Sequence, residues 1–393
     1  MQGIVLKYFS NFFYVRVESA STATSSPQSV VLACMVKSLL KKQGIHVLVG
    51  DTVTLDEINH HNQTARIVSV QPRTTLLKKP KIANVHRVLV FVPLHQPNLD
   101  LRQLDRLLAH VTLSGLTPWI IFTKADLLTA QPLPWEALGF TGIEALVACY
   151  QQILNVPVIA TSVLPHSPYY QGVEKLATLL QGTAGNYVLA GVSGAGKSSL
   201  LNELNPQFKL KTGAVSDKLE RGTHTTRHTE LLELFPSVWL ADAPGFSHLA
   251  FEGIEPEQLQ QGFLEFSIVT QQSPCEYPTC LHHAEPNCAV KAAVSSGDIH
   301  PSRHLHYTEL LADVTEAHEI VRKQSHKQEI GGTKQGNRKH GGQQATVVRL
   351  DPKLRDANRK QYNQQLNQLH QTLEDALSDA TELLEETEEC FSP

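Results

Sequence analysis

The stretch GVSGAGKSS, residues 191–199, constrains the fold of this chain more than any other, because it fits the pattern GxxxxGK[ST] directly after the apolar run NYVLA. Its glycines let successive backbone N–H groups turn toward phosphate oxygens, while Lys197 reaches the β- and γ-phosphates and the Ser198 hydroxyl ligates Mg²⁺. The alternative is a plain glycine-rich turn, but the strand before the motif and the helix-like SSLLNEL after it favour a phosphate-binding loop. The predicted phosphate contacts are Gly191, Ser193, Gly194, Ala195, Gly196, Lys197, Ser198 and Ser199.

A second motif, TKAD at residues 123–126, follows the apolar run WIIF and indicates which base is bound. The Asp126 carboxylate can accept hydrogen bonds from N1–H and from the exocyclic amine of guanine. Adenine lacks both donors and would leave that carboxylate unpaired. Lys124 would lie along the purine face, Thr123 opens the motif, and a backbone N–H near Ser162 would contact guanine O6. The alternative is that Asp126 is an ordinary acid in the first turn of a helix. The motif therefore predicts a site for GTP or GDP.

Two further segments have the character of nucleotide-sensing loops. Asp242-Ala-Pro-Gly245 ends an apolar run and fits DxxG, in which Asp242 holds Mg²⁺ through water and the Gly245 N–H senses the γ-phosphate. The threonine-rich RGTHTTRH, residues 221–228, is placed like switch I. Thr225 or Thr226 would complete the Mg²⁺ shell there, and Thr226 is predicted as the second magnesium ligand beside Ser198.

The order of these motifs along the chain is unusual, since the base-reading TKAD comes before the phosphate-binding loop rather than after it. This order predicts a circularly permuted α/β domain. Such a permutation is tolerable because the contacts within a sheet do not depend on where the chain begins. A consequence is that the segment after DxxG leads directly into the C-terminal part of the chain.

The catalytic residue is less obvious, because the position that follows DxxG holds Phe246, whereas Ras-like enzymes use a glutamine there to orient water. His224, in the switch-I candidate, is the predicted substitute. The alternatives are that His224 is an ordinary loop histidine in a chain with 19 histidines, or that His228 supplies the function.

Three of the six cysteines crowd into residues 275–288 and give the spacing C-x₄-C-x-H-x₅-C. Three thiolates and one imidazole close a tetrahedral shell, which predicts one structural Zn²⁺ per chain with no open position for water. The predicted ligands are Cys275, Cys280, His282 and Cys288. His283 is the alternative fourth ligand, and three free thiols close together by accident remain the other interpretation.

The remaining patterns define the architecture. Residues 1–80 contain five short apolar runs, typical of an OB-type β-barrel, and later runs alternate with helix-like segments, typical of a mainly parallel α/β sheet. Residues 322–360 hold eleven Lys/Arg against three Asp/Glu, whereas residues 361–393 hold eight Asp/Glu and no Lys/Arg. The prediction is a multidomain chain: an OB-fold RNA-binding domain (1–80), a circularly permuted P-loop α/β GTPase domain (81–255), a zinc-binding domain with helices (256–324) and a flexible charged tail (325–393). The charge blocks are either a solvated tail or a basic segment for RNA that the acidic block covers.

The sequence also gives expectations for the cellular location of the protein and for its RNA-binding surface. The chain opens with no charged-then-apolar leader and has no run of about 18 apolar residues, so a cytoplasmic monomer with no membrane association is expected. OB barrels bind irregular RNA through stacking and charge, although aromatic residues at such positions are as often barrel core. The candidate RNA contacts are Phe9, Phe12, Phe13, Tyr14, Lys37, Lys41 and Lys42.

Taken together, GVSGAGKSS, TKAD, the RGTHTT loop, DAPGF and the Cys/His spacing, in this order, resemble the circularly permuted, small ribosomal subunit-dependent GTPases of the RsgA/YjeQ type. The resemblance covers roughly residues 1–320. It implies a factor that binds the immature small (30S) subunit and its rRNA late in assembly, with GTP hydrolysis stimulated by that subunit and coupled to release of the factor. It also implies that the histidine at position 224 is catalytic and that the metal is zinc.

The chain departs from the family pattern at Thr123, where asparagine is more common, and in the tail, which has no recognisable counterpart. Two rival functions stay open at this point. One is a non-enzymatic RNA-binding protein gated by guanine nucleotide, which Phe246 keeps plausible. The other is a P-loop kinase, against which TKAD and DAPG argue.

Overall fold

A computed structural model of the chain describes residues 1–18, 29–59, 61–78, 80–208, 229–242, 251 and 253–329. The chain divides into two units, Met1–Thr315 and Glu316–Pro393, and the account below concerns the first, apart from a helix that continues to Glu329 in the second. The predicted loop at 19–29 lies outside the described residues except for Ser29, and so does the tail beyond Glu329.

The N-terminal part is a closed barrel of five strands. They are β1 (Gln2–Phe9), β2 (Phe12–Glu18), β3 (Ser29–Val36), β4 (Thr52–Asn59) and β5 (Thr64–Val70), in the order β1-β2-β3-β5-β4, with α1 (Ser38–Lys42) between β3 and β4. Alternate side chains of these strands, including Val5, Val15, Leu32, Val53 and Ile67, are fully buried inside the barrel. The predicted OB-type barrel is confirmed.

A hairpin that the sequence did not predict, β6 (Leu76–Lys78) with β7 (Lys81–Ala83), joins the barrel to the sheet. Next to it, the fully buried Asp51 accepts hydrogen bonds from Arg73 Nε at 2.7 Å and Nη2 at 2.9 Å. Asn84 Nδ2 donates to the Gly50 carbonyl at 2.9 Å. These contacts fix the barrel to the amino-terminal end of the sheet, opposite the edge where the nucleotide motifs lie.

The central sheet has six strands in the order β10-β9-β8-β11-β13-β12. They are β8 (Val85–Pro93), β9 (Pro118–Thr123), β10 (Val158–Ala160), β11 (Gly185–Ala190), β12 (Leu231–Phe235) and β13 (Val238–Asp242), all parallel to their neighbours except β12, which is antiparallel to β13. The helices of this part are α2 (Leu101–Leu113), α3 (Leu127–Ala130), α4 (Trp135–Leu138), α5 (Ile143–Leu154), α6 (Gln171–Gln181) and α7 (Lys197–Leu204). Strand β8 is buried without interruption from Val88 to Pro93, which accounts for its continuous apolar run.

The connectivity of this sheet confirms the circular permutation. Among the strands of the central sheet, β8, β9 and β10 come first in the chain. Strand β8 nevertheless pairs directly with β11, the strand that precedes the phosphate-binding loop. The base-reading half of the sheet therefore lies beside the phosphate-binding half, although the chain visits it earlier.

By length and composition alone, the stretch Trp135–Leu154 would be able to cross a membrane, with a mean hydropathy of 1.2. The stretch consists of the two helices α4 and α5, and Gly139 ends the first of them at φ 79°. Helix α5 buries Leu146, Tyr150 and Leu154 in the core of the sheet domain. The buried face of this helix is thus accounted for by packing within the protein.

The C-terminal part contains α8 (Pro256–Leu259), α9 (Leu264–Gln272), α10 (Ala289–Ser296) and α11 (Pro301–Glu329). Helix α11 continues five residues past the predicted boundary at 324. The core of this part includes Phe263, Phe266 and Tyr307, and Ala109 of α2 belongs to the same cluster. One helix of the sheet domain therefore contributes to both hydrophobic cores.

A buried ionic cluster lies at the same junction. The Arg303 guanidinium, 1% exposed, contacts Asp105 Oδ1 at 2.5 Å and Glu265 Oε1 at 2.7 Å. Asp105 also accepts a hydrogen bond from the Tyr150 hydroxyl at 2.7 Å, and its second oxygen lies 2.6 Å from His306 Nδ1. These contacts join α2 and α5 to α9 and α11.

Candidate nucleotide-binding site and metal centre

The phosphate-binding candidate is a loop between β11 and α7. Gly191, Gly194 and Gly196 have φ values of 135°, 76° and 80°, a region that side chains other than glycine rarely adopt. Helix α7 begins at Lys197, so the loop residues meet the helix N-terminus, where unpaired backbone N–H groups attract anions. The backbone thus has the form that phosphate binding requires.

Lys197 and Ser198 occupy the first turn of α7. The Lys197 ammonium donates to the carbonyls of Gly191 at 2.8 Å and Val192 at 2.9 Å, which holds the cation against the loop. Ser198 is 7% exposed. The roles of these residues toward phosphate and Mg²⁺ remain predictions.

The structure brings Thr123, at the end of β9, against the phosphate-binding loop. Its hydroxyl donates to the Ala195 carbonyl at 2.7 Å. A methyl group added at Gly196 would lie 3.7 Å from the Thr123 Cβ. Threonine therefore ties the two motifs together at the position where asparagine is more common.

Asp126 does not behave as a helix cap, because its side chain makes no capping hydrogen bond to α3. Instead Asp126 Oδ1 accepts from the Ser162 hydroxyl at 2.7 Å. The Ser162 N–H donates to the Tyr169 carbonyl at 3.2 Å, and the contact of a backbone N–H near Ser162 with guanine O6 stays a prediction. Ser162 thus orients the Asp126 carboxylate through its side chain, and this geometry favours the base-reading interpretation over the first-turn acid.

The segment after β8 also contributes to this site, which the sequence did not indicate. Lys124 has a positive φ of 58°, and its ammonium donates to the Gln96 carbonyl. Pro97 Cδ lies 3.6 Å from the place where a Cβ on Gly194 would stand. Burial lowers the pKa of Lys124, and the nearby Asp126 charge acts in the opposite direction. No sequence signal marks Gln96, because it acts through its backbone oxygen.

Of the sensing loops, the structure describes only the strands that flank them. Asp242 is the last residue of β13 and pairs in register with Leu189 of β11, so its backbone lies beside the start of the phosphate-binding loop. The predicted His224, His228, Thr225, Thr226, Gly245 and Phe246 lie outside the described residues.

The cysteine and histidine side chains of the C-terminal part converge. The ligand atoms of Cys275, Cys280, His282 and Cys288 all lie within 4.8 Å of one another. His282 Nδ1 is 3.7, 3.5 and 3.3 Å from the three sulfurs in that order, and the Cys275 and Cys288 sulfurs are 4.0 Å apart. A tetrahedral ion with ordinary Zn–S and Zn–N bonds would place such atoms about 3.5–3.8 Å apart. The cluster therefore fits a metal ion.

The groups around the cluster also fit a metal site. His282 Nε2 lies 2.8 Å from Gln260 Oε1, an acceptor that leaves Nδ1 free to face the sulfurs. Backbone N–H groups of His282 and Ala289 donate to the sulfurs of Cys280 and Cys275, each at 3.4 Å. His283 is exposed, so the geometry selects His282 as the fourth ligand.

Electrostatics in this cluster favour a cation. Burial raises the pKa of the Cys280 thiol to about 12 and raises the pKa of Cys288 as well. Burial also lowers the pKa of His282, which keeps its imidazole neutral. Without a cation the thiolates would be costly, whereas a bound metal ion stabilises them and accepts the neutral imidazole.

The fold and these two sites define a class of protein, the circularly permuted P-loop GTPases that carry an N-terminal barrel and a C-terminal metal cluster. Residues 70–252 match the family model described as RsgA GTPase. The small ribosomal subunit biogenesis GTPase RsgA of Shouchella clausii (strain KSM-K16) is 35% identical over 314 residues, 80% of this chain and 97% of the relative. The protein of the same name from Geobacillus kaustophilus (strain HTA426) is 36% identical over 315 residues, 80% of this chain and 98% of the relative.

Solved structures similar to this chain indicate the same family. YjeQ from Thermotoga maritima aligns with a TM-score of 0.63 and 29% identity, covering 80% of this chain and 98% of that one. YloQ, described as a circularly permuted GTPase, aligns with a TM-score of 0.61 and 29% identity, covering 80% of this chain and 95% of that one. The chain belongs to the RsgA GTPase family and is a GTP-hydrolysing enzyme.

Proposed function

We propose that this GTPase is a late assembly factor of the small ribosomal subunit, that the subunit stimulates its GTP hydrolysis, and that hydrolysis accompanies release of the factor. The GTPase part of the proposal rests on the joined nucleotide site, in which Thr123 bonds to the phosphate-binding loop and Ser162 orients Asp126. Relatives that match nearly their whole length are named for biogenesis of the same subunit.

We propose domain boundaries at 1–80, 81–255, 256–324 and 325–393, and the nucleotide chemistry belongs to the second domain. Ser198 and Thr226 ligate Mg²⁺, Asp242 contacts it through water, and the Gly245 N–H senses the γ-phosphate. His224 orients the attacking water in place of the glutamine that Phe246 replaces. We place the protein in the cytoplasm as a monomer without membrane association.

The barrel is the proposed contact for rRNA. At the tip of the β1–β2 hairpin, Phe9 is 59% exposed and Phe12 is 37% exposed, so both can stack on bases. Phe13 and Tyr14 are half-buried in the barrel wall and are weaker candidates. The lysines of the proposed contact, Lys37, Lys41 and Lys42, are all exposed around α1.

Phosphate release from GTP tests the function. With purified protein, we expect slow basal release that small subunits raise about tenfold or more, since ordering of a catalytic loop by a partner has effects of this size or larger. Large subunits and ATP are the controls.

In the same assay His224→Ala should lower the stimulated rate about a hundredfold while GTP affinity stays within about twofold.

The contrary outcomes are informative. GTP binding without turnover under either condition would favour a nucleotide-gated RNA-binding protein. Equal stimulation by both subunits would contradict the assignment to the small one, and an unchanged rate in His224→Ala would remove the proposed role of that histidine.

The metal of the C-terminal cluster is proposed to be one structural Zn²⁺, held by Cys275, Cys280, His282 and Cys288. Purified protein should contain about one equivalent of zinc by elemental analysis, and Cys280→Ser should lose it. Because structural zinc contributes folding free energy, a strong chelator should lower the melting temperature of the wild type. Cys149→Ser, which removes a half-buried thiol away from the cluster, should retain both zinc and stability. A Cys280→Ser protein with a full equivalent of zinc would refute the assignment.

A further inference from the structure

The barrel touches the far edge of the sheet through charged side chains of its first two strands. Lys7 of β1 forms a backbone bridge with Glu230, and its ammonium lies 2.8 Å from Glu230 Oε1. Arg16 of β2 forms an ion pair with Glu233 of β12. The barrel therefore holds the antiparallel β12–β13 hairpin as well as the amino-terminal end of the sheet.

Arg16 contacts both strands of that hairpin at once. Glu233 and Trp239 are directly opposite partners in the β12–β13 register. The Arg16 guanidinium pairs with the carboxylate of the first, and its Cζ lies 4.8 Å from the ring centroid of the second. The ion-paired side chains are 22% and 29% exposed, so the contact is less screened than an ordinary surface pair.

The two strands of the hairpin connect to the two sensing loops. Glu230 is four residues after Thr226 in the sequence, and β12 begins at Leu231. Strand β13 ends at Asp242, whose backbone pairs with Leu189 just before the phosphate-binding loop. A displacement of this hairpin would therefore move the point from which each loop departs.

The contact between barrel and hairpin combines two ion pairs with the Arg16–Trp239 contact, and it leaves open space beside them. A cleft of about 240 Å³ opens beside Arg16, and Gln2, Thr52 and Ser237 are among the residues that line it. Open space beside a contact permits small displacements of the side chains and strands that line it, unlike a close-packed core.

We propose that Arg16 is a positioning residue for GTP hydrolysis, which couples the barrel to the nucleotide site through the Glu233–Trp239 pair. Engagement of the barrel by rRNA then shifts the β12–β13 hairpin, whose strand β13 pairs with β11 just before the phosphate-binding loop. This inference rests on the proposed function for its natural trigger. It adds a defined route from the barrel to the catalytic centre.

The kinetic test compares Arg16→Gln with Arg66→Gln. Arg66 makes an ion pair within the barrel, 2.6 Å from Glu57, with both side chains more exposed than those of Arg16 and Glu233. Arg16→Gln should lower the subunit-stimulated kcat about tenfold, an ordinary size for coupling between sites, with the Kd for GTP and for subunits within about twofold. Arg66→Gln should match the wild type. The charge-swapped double variant Arg16→Glu/Glu233→Arg should recover part of the loss, which a merely unfolded barrel would not.

A second measurement needs no ribosome. If Arg16 connects the barrel to the nucleotide site, a change of nucleotide should alter the barrel strand that carries it. Hydrogen exchange of residues 12–18 should differ between the GDP complex and the complex with a non-hydrolysable GTP analogue. The difference should vanish in Arg16→Gln and persist in Arg66→Gln.

The two measurements separate the possible failures. If small subunits do not stimulate the wild type, the proposed function fails, and the exchange experiment still decides the role of Arg16. If exchange in the barrel is the same in both nucleotide complexes of the wild type, or if Arg16→Gln keeps the difference, the coupling is refuted.

Discussion

Arg303→Leu should strongly destabilise the fold, lowering the free energy of unfolding by about 3–5 kcal/mol. The guanidinium is the cationic partner of two carboxylates, Asp105 and Glu265, that are 0% and 5% exposed. Burial lowers the pKa of Arg303, but the two acids more than reverse this and raise it. Without the arginine, Glu265 loses this buried cationic partner, and Asp105 keeps only its contacts with the Tyr150 hydroxyl and His306. Thermal unfolding should report a fall of roughly 10 °C.

The matched control is Arg102→Leu. Arg102 of α2 pairs with two acids of α11, Glu309 at 2.8 Å and Asp313 at 3.8 Å, but its side chain is 50% exposed. Solvent screens such pairs, so the loss should be about 1 kcal/mol or less. If both variants melted alike, burial would not be the source of the effect.

Asp126→Asn should change which base the enzyme accepts. Asparagine offers one acceptor and one donor where the carboxylate offers two acceptors, so its amide would oppose a guanine donor. The kcat/KM for GTP should fall about a hundredfold or more. Xanthosine triphosphate, which has a carbonyl oxygen at C2 in place of the amine, should become the better substrate. Phosphate release with the two nucleotides measures the exchange of preference.

Ser162→Ala is the control for this prediction. It removes only the hydroxyl that donates to Asp126, at 2.7 Å, and leaves the carboxylate in place. A loss of one such bond should reduce kcat/KM for GTP by about tenfold at most and leave the preference for guanine intact. An Asp126→Asn enzyme that still preferred GTP would return Asp126 to the role of a first-turn acid.

The features that the sequence predicts well are those built from neighbouring residues. GVSGAGKSS lies on one loop, and Cys275, Cys280, His282 and Cys288 lie within fourteen residues, so spacing alone indicated their chemistry. The barrel and the permuted sheet followed from the alternation of apolar runs. The order TKAD before GVSGAGKSS was sufficient to predict the permutation, because parallel strands present their carboxyl ends at one edge.

The features it did not predict depend on contacts between distant segments. Gln96 acts on Lys124 through a backbone carbonyl, which any residue type would supply. Gln260 lies 22 residues before His282, the imidazole it faces. For Asp105 a signal did exist, since an acid stands among the buried leucines of α2. An acid on the apolar face of a helix indicates a buried cation, but the sequence does not say that the cation is Arg303.

The shared helix α2 also has a consequence for synthesis of the chain. Asp105 and Ala109 are translated early, but Arg303 follows Asp105 by 198 residues. At about 5–20 residues per second, the nascent protein carries a finished sheet strand and an unneutralised acid for roughly 10–40 seconds before its partner leaves the ribosome. Asp105 therefore gains its arginine partner only after the start of α11 has emerged, and a chain terminated after the sheet would expose that acid and its apolar surroundings to solvent.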